Sequence, residues 1–339
     1  MNLKLLTAAL CLTAMGATAG TAAAQTLEET KSRGTVRCGV NTGLPGFGFQ
    51  KDDGEWAGLD VDYCRAIAAA IFGDGTKVAF SPLSAVQRFP ALQNSEVDVL
   101  ARNTTWTASR DSALGLDFAG INYFDGQGFM VRESLGVTSA LQLSGATVCV
   151  QSGTTTELNL ADYFAANNLE YNPVVIESQA DVNAAYDSGR CDALTTDASG
   201  LYASRLEMGN ADEHIVLPEI ISKEPLGPAV RQGDAKWFDV VKWVHFALLN
   251  AEEFGITQAN VEEMKTSENI EIRRLLGTEG TYGADLGLPA DWAAQAITAV
   301  GNYGEIFERN VGAGSPLGIA RGQNALWTDG GLQYAPPVR

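Results

Sequence analysis

The chain has only two histidines in 339 residues, His214 and His245, and no C-x-x-C pair among its five cysteines. A zinc site is therefore not expected, and no cofactor is implied. The G-x-x-x-x-G-K-[ST] phosphate loop, the G-x-S-x-G elbow and the H-E-x-x-H helix are all missing, so the common nucleotide and hydrolase signatures fail. Basic residues are scarce: 23 Lys+Arg stand against 41 Asp+Glu, a formal charge of −18. Such a surface repels polyanions, which makes nucleic acid and anionic membranes poor partners. No apolar run reaches the ~20 residues of a spanning helix. With 45% hydrophobic and only 19% charged residues, the chain is too apolar for disorder, and its length suits about two domains with a cleft between them.

What is present begins with a leader. Residues 1–24 carry one charge, Lys4, then an apolar stretch over 5–15 and small residues closing on Ala22-Ala23-Ala24. This is the pattern of a cleaved secretory signal peptide, with a mature start at Gln25. Cys11 follows Ala-Leu rather than two small residues and does not read as a lipidation site. Four cysteines remain, Cys38, Cys64, Cys149 and Cys191. In an oxidising compartment an even count suggests two disulfides, in any of three pairings, with buried free thiols as the alternative.

Short β-rich runs alternate with helical patterns, which implies βαβ units and a mainly parallel sheet. In the first half, strands are expected at 35–40, 77–80 and 97–101. Helices are expected at 60–72, with Asp60 as cap and Gly73 as stop, and at 84–94 despite Pro90. The pattern restarts after Arg132, with strands at 146–150, 174–177 and 191–194 and helices from Thr154, over 178–187 and over 198–208. Thr154 and Glu157 have capping-box spacing. Two similar α/β lobes would place a ligand between them. Pairing the cysteines within each lobe favours Cys38 with Cys64 and Cys149 with Cys191. A long amphipathic helix covers 234–254. Beyond 255, helices at 269–276 and 290–309 flank a Gly-rich 277–287, and this tail reads as a cover for the first lobe. His245 in the long helix and His214 in a loop read as packed or surface residues rather than general bases.

Three strand ends combine polar donors or a carboxylate with a following helix, the place where α/β sheets bind ligands. Residues 103–110 bring Asn103, Thr105 and Arg110, whose planar fork matches a carboxylate. Residues 151–156 bring Gln151 and Thr155 to a helix start whose free N–H groups favour an anion. Asp197 ends the third strand; it either caps the next helix or accepts from an ammonium. Together these groups suit a zwitterion.

The segments 58–62, 102–110 with 116–118 and 123–124, 148–158, and 189–193 leading to Asp197 resemble the family 3 solute-binding proteins of polar amino acid ABC transporters. The resemblance covers about 35–250. The run from Arg102 to Thr107, the run 148–158 and the long C-terminal extension are most similar to the general L-amino-acid-binding type. The resemblance implies an α/β, two-lobed type II periplasmic-binding-protein fold with two hinge crossings, near 129–132 and 221–224. Lobe one would then comprise 25–131 and 223–339, and lobe two 132–222. It also implies a periplasmic binder that takes L-amino acids, of several types, and delivers them to the transmembrane permease subunits of an ABC importer.

By the same resemblance Arg110 grips the α-carboxylate, aided by Asn103, Thr105 and Thr155. Asp197 takes the α-amine, while Asn41, Gln151 and Thr196 face the ligand side chain. Phe47 or Leu44 walls the site, and Arg88 or Arg102 could tilt preference toward Glu and Asp. A second reading on the same scaffold is an enzyme resembling cyclohexadienyl dehydratases, for which no lone Glu stands at the lobe-one strand ends as general acid.

Overall fold

The alternation of apolar runs and helical stripes resolves, in a computed structural model that describes residues 25–339, into two sheets that each carry helices. The expected signal peptide at 1–24 lies outside the described residues. In chain order the elements are α1 (Thr26–Arg33), β1 (Val36–Asn41), β2 (Phe49–Gln50), β3 (Trp56–Ala57), α2 (Leu59–Phe72), β4 (Val78–Leu83), α3 (Arg88–Gln93), β5 (Val99–Leu100), β6 (Leu116–Phe118), β7 (Tyr123–Asp125) and β8 (Gln127–Arg132). There follow β9 (Thr147–Gln151), α4 (Thr155–Ala166), β10 (Asn172–Ile176), α5 (Gln179–Asp187), β11 (Ala193–Asp197), α6 (Ala198–Glu207), β12 (His214–Val216), β13 (Glu224–Leu226), β14 (Ala229–Arg231) and α7 (Ala235–Glu253). The tail adds α8 (Val261–Met264), α9 (Ile270–Leu275), α10 (Tyr282–Leu286), α11 (Trp292–Val300) and α12 (Tyr303–Asn310).

The first sheet has the order β4-β1-β5-β14-β6 and the second β10-β9-β11-β8-β12. In each, four strands run the same way, as the βαβ pattern requires, and one, β14 in the first sheet and β8 in the second, runs against its two neighbours. Each sheet is thus mainly parallel, as expected, with a single reversed strand. The reason is connectivity: β8 and β14 enter directly from a crossing rather than through a helix and run against their neighbours. The crossings themselves pair, β7 with β13, in the register Asp125–Glu224 to Tyr123–Leu226. All of β8 belongs to the second sheet, because Gln127 to Val131 is buried on both faces as a central strand must be. The first crossing therefore lies at β7 and Gly126, ahead of the expected 129–132. Gly126 has no room for a side chain, since a Cβ there would lie 2.2 Å from Cγ2 of Ile220.

Other local expectations shift for identifiable reasons. Gly58, not Asp60, precedes α2, and no side chain caps it. Asp60 is buried and accepts from the Asn103 N–H instead. The helix expected over 84–94 is regular only from Arg88, which leaves Pro90 in its first turn, where a missing N–H costs nothing. The stretch 290–309 is two helices, broken where Gly301 takes φ +79° and Asn302 starts α12 through a reciprocal capping box with Glu305.

The larger core joins β1, α2, α7, α11 and α12, so the tail completes lobe one. Tail side chains also hold the first crossing. Asn324 accepts from the Phe124 N–H at 2.7 Å and donates to its carbonyl at 3.0 Å. Gln333 donates to the Ile121 carbonyl and the Tyr303 hydroxyl to that of Asn122. Disulfides link Cys38 on β1 to Cys64 on α2, with Cα atoms 6.2 Å apart, and Cys149 on β9 to Cys191 before β11, 5.7 Å apart. Both histidines are packed: His245 pairs with the Tyr63 hydroxyl, and His214 lies 2.9 Å from that of Tyr186. Burial pushes the His245 pKa down to about 3, so it stays neutral.

Candidate ligand-binding site

The carboxyl ends of β1, β4 and β5 face those of β9 and β11 across the cleft. Between them lies a cavity of about 30 Å³, bordered on lobe one by Asn41, Leu44, Arg88, Arg102, Asn103 and Thr105. Gln151, Thr154, Thr155, Thr156, Gln179, Thr196, Asp197 and Gly200 border it on lobe two. The volume is small because the lobes touch. Ser84 Oγ donates to Glu177 at 3.4 Å, and the Thr105 and Thr155 hydroxyl oxygens are 3.3 Å apart.

On lobe one the backbone is held in an unusual shape. Asn103 adopts φ +34°, a left-handed conformation that asparagine tolerates better than most residues. Two contacts fix it: its N–H donates to Asp60 at 2.7 Å, and its side-chain oxygen accepts from Asn41 at 2.9 Å. Burial outweighs these hydrogen bonds and raises the Asp60 carboxyl to about 6. Arg102 donates through Nε to the Leu83 carbonyl at 2.9 Å, while its Nη2 is buried without a partner. Arg88 likewise leaves Nε unpaired and buried. Burial lowers the pKa of both guanidiniums; for Arg88 the neighbouring Arg102 and Arg110 add to it, and for Arg102 burial and Arg110 bring it to about 10. Buried N–H donors without acceptors are costly, so this corner favours an incoming anion or carbonyl.

On lobe two, Thr154 caps α4 by accepting from the Glu157 N–H, as the spacing predicts. Thr155 then opens the helix with its hydroxyl toward lobe one. Asp197 stands at the start of α6 but makes no capping hydrogen bond. Its carboxyl, 7% exposed, is raised well above the usual range, first by burial and then by the nearby Asp125 and Glu224. A cation in the cleft would relieve that cost.

All the sequence-derived ligand contacts line this cavity except Arg110. Its guanidinium lies behind Thr105, donating to that residue's carbonyl at 2.9 Å and resting 5.1 Å from the centre of the Phe89 ring. Leu44 forms the wall. Phe47 is turned away, edge-on to Tyr123. Sequence reasoning overlooked Glu224, buried at the start of β13 and bonded to both Thr105 and Thr155. Its signal was its place directly before Pro225-Leu226-Gly227-Pro228, at the expected second crossing.

Comparison with known proteins adds an independent line. The chain is 64% identical, over 341 residues and the full length of both chains, to the general L-amino acid-binding periplasmic protein AapJ of Rhizobium johnstonii. It is 57% identical to the glutamate/glutamine/aspartate/asparagine-binding protein BztA of Rhodobacter capsulatus, covering 95% of each. A solved ABC transporter periplasmic binding protein from Brucella ovis, with glutathione bound, superposes with a TM-score of 0.91 at 67% identity, covering 93% of this chain and 99% of that one. The profile of the bacterial extracellular solute-binding proteins, family 3, matches residues 36–268, and the chain belongs to that family.

Proposed function

We propose that this protein is the periplasmic substrate-binding component of an ABC importer, which closes on an L-amino acid between its lobes and presents it to the transmembrane permease subunits. It is a binder and not an enzyme. The observation that carries this reading is a pair of opposite poles in one closed cleft. Asp197 holds an uncapped, buried carboxyl on lobe two, and Arg88 and Arg102 hold unpaired guanidinium N–H groups on lobe one. An amino acid satisfies both. Its α-carboxylate goes to N–H donors at the positive pole, the free ones of Arg88 and Arg102 with Arg110 behind Thr105, near Asn103, and its ammonium goes to Asp197, on the side of the Thr105 and Thr155 hydroxyl oxygens. Asn41, Gln151 and Thr196 face the side chain. These three are neutral and polar, so none leaves a buried ion unpaired against a given ligand, and specificity is broad. The names of the relatives AapJ and BztA point the same way.

Thermal-shift screening against the twenty amino acids tests the reading, because a ligand that binds only the folded state raises its stability. Several chemically different amino acids should stabilise the protein, and Arg88→Met should weaken the response to Glu and Asp most. Dialysis followed by recovery of unchanged amino acid distinguishes this binder from a dehydratase on the same scaffold. A shift confined to one amino acid overturns the breadth, and conversion of the ligand overturns the binder.

A further inference from the structure

Glu224 is 1% exposed, and its two carboxylate oxygens collect four donors from three parts of the molecule. Oε2 accepts from the hydroxyl of Thr105 on lobe one at 2.6 Å and from that of Thr155 on lobe two at 2.8 Å. Oε1 accepts from Ser222 on the second crossing and from Asn159 on α4, both at 2.7 Å. We infer that Glu224 is a positioning residue for ligand capture, holding one hydroxyl from each lobe so that the lobes are drawn together and both hydroxyl oxygens turn their lone pairs toward the cleft.

The argument is one of proton count. A threonine hydroxyl has a single proton, and a carboxylate can only accept. With both protons given to Glu224, the two oxygens, 3.3 Å apart, cannot donate to each other or to a ligand carboxylate. Toward the cleft they can only accept, which suits an ammonium beside Asp197 and leaves a carboxylate to N–H donors such as Arg110. A neutral amide at 224 would undo this: an NH₂ in place of Oε2 forces both hydroxyls to accept and frees their protons, and an NH₂ in place of Oε1 is set against the donors of Asn159 and Ser222. The inference rests on the proposed amino-acid ligand.

A double-mutant cycle tests it. L-glutamate and L-glutamine are titrated calorimetrically into the wild type, Glu224→Gln, Thr155→Val and the double variant. If Glu224 acts through the Thr155 hydroxyl, each single change weakens binding by about tenfold, and the double variant is within about threefold of Glu224→Gln alone. Losses that multiply, or wild-type affinity in Glu224→Gln, overturn the inference while leaving the amino-acid reading intact. Absence of wild-type binding to any of the twenty amino acids overturns both. Should Glu224→Gln not fold, Asn159→Ala, which removes one donor from Oε1, carries the same cycle.

Discussion

Gly153, at the tip of the loop between β9 and α4, sits directly against Val86 of the opposite lobe. A Cβ added there would lie 2.7 Å from Cγ1 of Val86, and the Gly153 carbonyl is 3.5 Å from Nη2 of Arg88. The residue also takes φ +72°, where alanine costs about 1 kcal/mol. Gly153→Ala should therefore leave the fold standing with a small drop in Tm but hinder closure, lowering amino-acid affinity by about tenfold. Calorimetric titration showing wild-type affinity would count against closure through this contact.

Arg110→Ala should remove measurable binding. Losing a buried charge-assisted pair costs about 2–5 kcal/mol, and ~4 kcal/mol turns a micromolar site into a roughly millimolar one. Arg110→Lys should not restore it, because an ammonium cannot make the paired contact and also keep the hold on the Thr105 carbonyl. A loss of less than about fivefold would rule Arg110 out as the carboxylate anchor.

The raised carboxyls set a pH dependence with opposite signs for folding and for binding. Asp60 and Asp125 are lifted to about 6, and Asp197 is also lifted, each by burial first. Their folded pKa values lie above the unfolded ones. Their contribution to ligand-free stability is thus fully present below about pH 4 and is lost as pH rises through about 6. Binding runs the other way. An ammonium favours ionised Asp197, so affinity should fall as pH drops through its raised value. Asp197→Asn should bind weakly and show a flatter profile of affinity against pH, and an unchanged profile would place the amine elsewhere.

Both bridges should be found by peptide mapping under non-reducing conditions in protein from an oxidising compartment. Each ties a strand to a neighbouring element of the same lobe. Reduction should therefore lower stability by about 2–4 kcal/mol per bridge while leaving amino-acid binding in place. Recovery of four alkylatable thiols would refute the bridges.

Much of this was legible in the sequence wherever a local pattern decides the outcome. Strand–loop–helix transitions at Asn103, Gln151 and Asp197 are written in consecutive residues, and the structure gathers them at one cleft. The break at Gly301 was harder to see, because apolar residues at helical spacing continue on both sides of it, Ile297 and Val300 before and Tyr303, Ile306 and Phe307 after. Asp60 looked like a cap because it is acidic and stands at a helix start. Its real partners, Asn103 and Asn122, are brought to it only by the sheet. Glu224 escaped for the same reason: its donors lie between 2 and 119 residues away in the chain, beyond any spacing rule.

The tail's grip on the first crossing makes the two connections mechanically unequal. Up to Phe124 the backbone of β7 is splinted to the tail through Asn324, Gln333 and Tyr303, and β13 is in turn zipped to β7. Among the described residues the tail makes no hydrogen bond to the short path at Asp125–Gly126 or to Ser222–Lys223, while Leu217 and Ile221 are fastened to β8 of lobe two through the Phe129 and Gln127 carbonyls. The pivot thus sits at the rim of lobe two, and opening is a swing of that lobe against a fixed body made of lobe one and the tail. A permease that engages the outer tips of both lobes meets one stationary contact and one moving one, so the distance between them reports whether the cleft is shut.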